Sequence, residues 1–166
     1  MDFHICKRRS CVTERVTSRY CRDHANEINK KAKERRLKRY HDGQCSKCEL
    51  DHLPNSRLCL LHYLKRVAKY TCKDESLTGM IYDQFLKQDK KCFFTGIPLE
   101  FGVNASLDHV YPQSKYQDRI SDIKNLRWVV NDVNIFKQNM ELGEFISMCE
   151  LITINKENII KEFPSE

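Results

Sequence analysis

The feature that most constrains this chain is a cysteine–histidine pattern that occurs twice in its first 62 residues. Residues 18–24 read SRYCRDH and residues 56–62 read SRLCLLH, so Ser, Arg, Cys and His recur in register. Self-similarity at a fixed spacing indicates an internal repeat. A cysteine pair also precedes each copy, and the two predicted sets of four are Cys6, Cys11, Cys21 and His24, then Cys45, Cys48, Cys59 and His62.

Three thiolates and one imidazole form a ligand set that suits tetrahedral zinc. The two-residue spacing between Cys45 and Cys48 lets backbone amides curl around a metal-bound sulfur, whereas the Cys6–Cys11 turn is looser. His4 and His52 are alternative ligands in the two copies. Because protein groups would fill all four positions, we expect two structural Zn²⁺ ions that hold together segments too small to fold alone.

The cysteine content would otherwise suggest a secreted disulfide framework. The N-terminal stretch MDFHICKRRSC has no apolar run after its charges, and no apolar stretch approaches the roughly 20 residues of a membrane span. We therefore expect a chain that is not secreted, has no membrane partner and lies in the cytoplasm or another reducing intracellular compartment. In such a setting, cysteines spaced with histidines indicate metal ligands.

The charge is concentrated near the N-terminus. Residues 1–70 carry 18 Lys+Arg against 8 Asp+Glu, and residues 71–166 carry 11 against 15. A clustered positive charge favours a polyanion such as double-stranded DNA as partner, and a solvated linker helix is the alternative. The predicted contacts are Lys30, Lys31, Lys33, Arg35, Arg36, Lys38, Arg39, Lys65 and Arg66.

Helices are predicted after each repeat. Residues 22–40 contain no Gly or Pro and end before Gly43, a C-terminal cap. Residues 60–70 form an amphipathic pattern with Leu60, Leu61, Leu64 and Val67 available for packing. The second repeat, with its CxxC, LCxxHY and Arg66, is similar to zinc modules that accompany phage and mobile-element nucleases.

The C-terminal part of the chain predicts the order helix, strand, strand, helix. Met80, Ile81, Phe85 and Leu86 repeat at helical spacing, and CFFTGIPLE is typical of a turn. A first strand ends at Asp108 and His109, residues 125–130 alternate as a half-buried strand, and residues 131–140 predict a helix. That helix would place Val133, Phe136 and Met140 on one face and be capped by Asn131.

The polar residues on these elements resemble the HNH, or ββα-metal, nuclease family. The match runs through Asp108 and His109, Asn125, and Asn134 with Lys137, and DHVYPQS and CFFTGIPL are close to the usual family motifs. The resemblance implies an α+β fold in which a small ββα-metal core with flanking helices follows two zinc-stabilised knuckle modules. The expected domains are residues 1–40, residues 41–72 and residues 73–166.

The resemblance also implies metal-dependent hydrolysis of phosphodiester bonds in duplex DNA, of a homing or restriction type. His109 would be the general base, because a neutral imidazole can take the proton of an attacking water. Asp108, on the opposite strand face, and Asn134 would hold one Mg²⁺ or Mn²⁺. Asn125 would brace the loop that aims His109, and Lys137 is a further predicted phosphate contact.

Several alternatives accompany this interpretation. A DH pair alone is more often a turn acceptor beside a loop histidine, and Asn131 is a rival ligand. The chain could also be a non-catalytic DNA-binding regulator with a vestigial HNH fold, or an RNA-binding zinc-knuckle protein. A homodimer would suit a palindromic target. Thr95 stands where many relatives carry a second cysteine, so we expect no third zinc. We assign Cys72, Cys92, Cys149 and Trp128 to core packing.

Overall fold

The computed structural model describes Cys11 and residues 19–162. The contacts divide the chain into two units, residues 1–59 and residues 60–166. The described part is a mixture of α and β, with five α-helices and one two-stranded sheet. None of the helices described combines the length and apolar character needed to cross a membrane.

The first unit is dominated by helix α1 (Arg22–His41), which confirms the helix predicted over residues 22–40. Gly43 ends it with a φ of +73°, and the amide of Gln44 donates to Arg39 O at 2.7 Å. This left-handed glycine with a six-to-one hydrogen bond is a Schellman cap, as predicted. None of the residues of α1 is buried, so the helix presents its charge to solvent along its length.

After α1 the chain folds into a short cysteine-containing turn. Gln44 and Asp51 form an isolated antiparallel bridge, and the Tyr40 ring stacks on His52 with centroids 5.2 Å apart. The guanidinium of Arg57 lies 5.3 Å from the centroid of the same tyrosine ring. These contacts hold the turn against the end of α1.

Helices α2 (Leu60–Thr71) and α3 (Thr78–Lys87) open the second unit and pack on each other. Leu64 and Ala68 are buried on α2, and Ile81 and Phe85 are buried on α3. Each pair has the i, i+4 spacing that places two side chains on one face of a helix. Leu61, which was predicted to be available for packing, is instead about half exposed, and so are Met80 and Leu86 on α3.

Strands β1 (Ala105–His109) and β2 (Leu126–Val130) form an antiparallel pair in which Leu107 lies opposite Trp128. Both strands lie where the sequence predicted them. The predicted half-buried alternation of β2 is wrong, because four of its five residues are buried. The packed helices cover the sheet more fully than is expected for a strand whose side chains alternate between buried and exposed.

Helix α4 (Asn131–Lys137) follows β2 directly. It is shorter than the predicted residues 131–140, because Gln138 has a φ of +46° and cannot continue a helix. Asn131 is the first helical residue and Val130 is the N-cap, so the predicted Asn131 cap is wrong. Phe136, predicted to lie on the inward face, is exposed, whereas Lys137 is buried.

Trp128 is the centre of the core and is completely buried, as predicted. Its indole nitrogen donates to Ile81 O at 2.7 Å, and its ring meets Phe85 and Phe101 at centroid distances of 5.8 and 5.0 Å. The amide side chain of Gln88 pairs with the backbone of Trp128 through two hydrogen bonds of 2.9 and 2.8 Å. These contacts of Trp128 fix the sheet to α3.

The three remaining cysteines differ in their environments. Cys72 and Cys92 are buried, which confirms their predicted place in the core, and burial raises the pKa of the Cys72 thiol to about 11. Cys149 is only half-buried on helix α5 (Leu142–Glu162), so its predicted core position is wrong. Phe145 is the one buried residue of that helix within the described residues.

We expect Trp128→Phe to lower the free energy of unfolding by about 1–3 kcal/mol, because it leaves a gap in the core and removes the indole donor. Urea denaturation of the zinc-loaded chain measures this loss. Val103→Ala, at a side chain 52% exposed, is the matched control and should change stability by less than about 0.5 kcal/mol. Equal effects of the two substitutions would contradict the central position of Trp128.

Candidate metal centres and active site

The second repeat gathers its four predicted ligands. One ligand atom from each of Cys45, Cys48, Cys59 and His62 lies within 4.8 Å of the others, and the sulfurs of Cys48 and Cys59 are 3.6 Å apart. Burial opposes ionisation of Cys45, but backbone amides, among them that of Lys47 at 3.5 Å, lower the pKa of its thiol to about 6. A thiol that ionises this readily is prepared to act as a metal ligand.

The first repeat gathers three of its predicted ligands, Cys11, Cys21 and His24, also within 4.8 Å of one another. The sulfurs of Cys11 and Cys21 are 3.7 Å apart, and the Cys21 sulfur lies 3.3 Å from His24 Nδ1. Cys6 and His4 lie outside the described residues. Both clusters are therefore compatible with a structural zinc ion.

His52, the alternative ligand of the second repeat, is engaged elsewhere. Its Nδ1 lies 2.9 Å from the carbonyl oxygen of Leu53, and its ring stacks on Tyr40. It is not a member of the second cluster, whose imidazole comes from His62. His62 follows Cys59 by one helical turn, so the two ligands face the same direction.

A candidate active site, distinct from the two cysteine clusters, lies within residues 60–166 at the end of β1. Asp108 and His109 from β1 and Asn134 from α4 line one cavity of about 330 Å³. Gln138 and Asn139, in the turn after α4, line the same cavity. The structure thus brings together three of the four residues predicted to carry the chemistry, whereas the fourth, Asn125, does not line the cavity.

Asp108 is only 7% exposed, and its Oδ2 is fully enclosed. The Lys137 ammonium lies 3.1 Å from Oδ2 and is the charge partner of this oxygen. Burial raises the pKa of the Asp108 carboxyl, and the ammonium of Lys137 opposes that shift. With Oδ2 beside Lys137, Oδ1 is the carboxylate oxygen that could hold a cation.

Lys137 corrects a prediction. The sequence suggested a phosphate contact, but the side chain is completely buried, and its ammonium donates to His109 O at 2.8 Å. An enclosed ammonium cannot reach a nucleic acid. Its place between Asp108 and the backbone of His109 makes it an internal cation that fixes α4 against β1.

His109 is 5% exposed, and its Nε2 lies 2.9 Å from the carbonyl oxygen of Ile120. A carbonyl only accepts, so Nε2 carries the hydrogen and Nδ1 keeps the lone pair. Burial lowers the pKa of the imidazole and outweighs the opposing effects of the Ile120 carbonyl and Asp108. The ring is therefore held as a neutral tautomer with its basic nitrogen at Nδ1.

Gln113 is a site residue that the sequence analysis missed. Its amide nitrogen lies 2.9 Å from Nδ1 and 3.3 Å from Nε2 of His109, which places it over the ring rather than along one lone pair. The same nitrogen donates to the carbonyl oxygen of Thr71 at 3.1 Å. No spacing or motif distinguished this glutamine, because its role depends on a contact with the end of α2.

Asn125 makes backbone hydrogen bonds within the loop that joins the strands. Its Oδ1 accepts from the amide of Tyr111 at 2.7 Å, and its Nδ2 donates to the carbonyls of Tyr111 and Arg119 at 3.1 and 3.4 Å. It is 2% exposed. The loop it fixes also carries Ile120, whose carbonyl orients His109.

Asn134 has a defined amide orientation. Its Nδ2 donates to the hydroxyl of Ser106 at 2.7 Å, which leaves Oδ1 as the end available to a cation. Asn131, the rival ligand, is exposed and is not among the residues that line the cavity. Asp108 and His109 therefore lie on β1 and Asn134 lies on the adjacent helix α4.

Comparison with protein-family models, curated proteins and solved structures gave no match to this chain.

We expect Cys59→Ser to release one equivalent of zinc per chain, because the substitution removes a thiolate from the second cluster. Inductively coupled plasma mass spectrometry of the purified chain measures the metal content. Cys149→Ser is the matched control, since Cys149 belongs to neither cluster, and it should keep the wild-type content. Equal zinc content in both variants would contradict a metal centre at Cys59.

Proposed function

We propose that this chain is a metal-dependent endonuclease of the HNH type that hydrolyses phosphodiester bonds in duplex DNA. The observation that supports the proposal best is the shared cavity, in which a buried carboxylate, a neutral imidazole and an oriented amide converge. These are the groups that hydrolysis of a phosphodiester needs: a base for water and oxygen ligands for a hard cation.

The residues present fit a divalent cation. The enclosed Oδ2 of Asp108 faces Lys137, so we assign the cation to Oδ1 of Asp108 together with Oδ1 of Asn134. Two protein oxygens are typical of Mg²⁺, which keeps several waters, and Mn²⁺ suits the same ligands. When bound, the ion would neutralise charge on the scissile phosphate and its leaving oxygen.

His109 supplies the base in this proposal. Its Nδ1 would take a proton from the attacking water, while the Nε2 hydrogen stays on the Ile120 carbonyl and steadies the imidazolium that forms. Asn125 acts indirectly, because it holds the backbone on which that carbonyl lies. Gln113 restrains the ring from one face.

Binding to DNA is assigned to the exposed positive charge. Seven of the ten residues from 30 to 39 are Lys or Arg, and six of these seven are exposed along α1. Such a helix matches the phosphate backbone, and the metal-stabilised turns would position it. Lys65 and Arg66 on α2 are further candidate phosphate contacts, and sequence preference of a homing or restriction type would come from the zinc modules.

We expect His109→Ala to slow nicking of supercoiled duplex DNA in Mg²⁺ by about 10²–10⁴-fold, because no other group takes the proton of the water. A gel assay measures nicking, and fluorescence anisotropy should show unchanged affinity for the duplex. His41→Ala removes an exposed histidine outside the cavity and should cut at the wild-type rate. A wild-type chain that binds duplex DNA but never nicks it would indicate the non-catalytic regulator instead.

Replacement of Lys30, Arg35 and Lys38 by Gln should weaken duplex binding and make the plot of log affinity against log salt shallower by about three, because three phosphate contacts are lost. Anisotropy over a salt series measures the slope. The control is the triple replacement of Lys87, Lys156 and Lys161 by Gln, which removes equal charge elsewhere. Equal slopes, or stronger binding to competitor RNA than to duplex DNA, would contradict the assignment.

A further inference from the structure

We infer that Gln138 and Asn139 contact the nucleic-acid strand that is cut, through amide hydrogen bonds to its phosphate oxygens. The inference rests on the proposed function and deepens it, since it identifies groups that bind the substrate beside the reacting atoms. Both residues line the cavity of Asp108, His109 and Asn134.

The backbone at Gln138 is strained. Its φ of +46° and ψ of −121° fall in a region that glycine adopts readily and other residues avoid. The amide of Met140 donates to the carbonyl of Lys137 at 3.0 Å, so residues 137–140 form a type II′ β-turn with Gln138 at its first central position. Because glycine would adopt this conformation without strain, a glutamine here indicates that its side chain has a function.

The turn is held firmly in place. The amide of Gln138 donates to Asn134 O at 3.0 Å, and Lys137 before it is buried against Asp108 and His109. The side chains at the tip are therefore fixed relative to the groups proposed to carry the chemistry. Pre-positioned groups of this kind contribute to binding without a cost of ordering them.

The two amide side chains are exposed and form no hydrogen bond with another described residue. Because both are exposed at the cavity, these two neighbouring amides offer four donor hydrogens to a ligand. Neutral amide donors can bind a phosphate oxygen without adding a charge to the site. Phosphate oxygens accept such hydrogen bonds without regard to base sequence.

Three variants of the full zinc-loaded chain test the inference. Gln138→Ala and Asn139→Ala remove the amides and keep a non-glycine backbone, whereas Gln138→Gly removes the amide and relieves the strain. Gln117→Ala, at an exposed glutamine outside the cavity, is the control. Single-turnover nicking in Mg²⁺, duplex affinity without divalent cation, and melting temperature are measured for each on several duplex sequences.

Each alanine variant should bind duplex about tenfold more weakly on every sequence, and nick correspondingly more slowly at subsaturating protein, with an unchanged melting temperature. Gln138→Gly should show the same loss while it melts about 2–4 °C higher. Wild-type behaviour of both alanine variants, or a loss confined to particular base pairs, would overturn the inference. A wild-type chain that binds but does not nick would refute the proposed function, and the affinities would still decide this inference.

Discussion

The ammonium of Lys137 lies fully enclosed where α4 meets β1, and the arrangement of the candidate site depends on it. It donates to the backbone of His109 and lies beside the carboxylate of Asp108. A buried charge is stable only with such partners, and removal of one partner from a buried pair costs about 3–5 kcal/mol. The pairing fixes the position of α4 on the sheet, and with it the amide of Asn134.

The remaining groups of the site depend on the loop between the strands. Asn125 holds that loop through three backbone hydrogen bonds, and the loop in turn supplies the Ile120 carbonyl that sets the tautomer of His109. One face of the imidazole meets Gln113, which also contacts the end of α2. The basic nitrogen is thus oriented from two directions by residues that need never touch a substrate.

Much of this arrangement could be predicted, because it is encoded over short distances. The cysteine clusters follow from local spacing, α1 from a run of helix formers ended by Gly43, and the two strands from apolar runs beside Asp108 and Asn125. What could not be predicted depends on tertiary contacts. Lys137 was predicted to contact phosphate but is buried, Leu61 and Phe136 were expected to pack but are exposed, and Gln113 acquires its role only through its contact with the end of α2.

The pairing of Gln88 with Trp128 has a consequence for how copies of this chain behave in concentrated solution. A strand with unpaired backbone groups is a template on which another molecule can add a strand. Here a single side chain supplies both the acceptor and the donor that a third strand would have offered to Trp128. The Gln88 amide therefore occupies the midpoint of the β2 edge. It protects the small sheet from edge-to-edge growth without the addition of another strand.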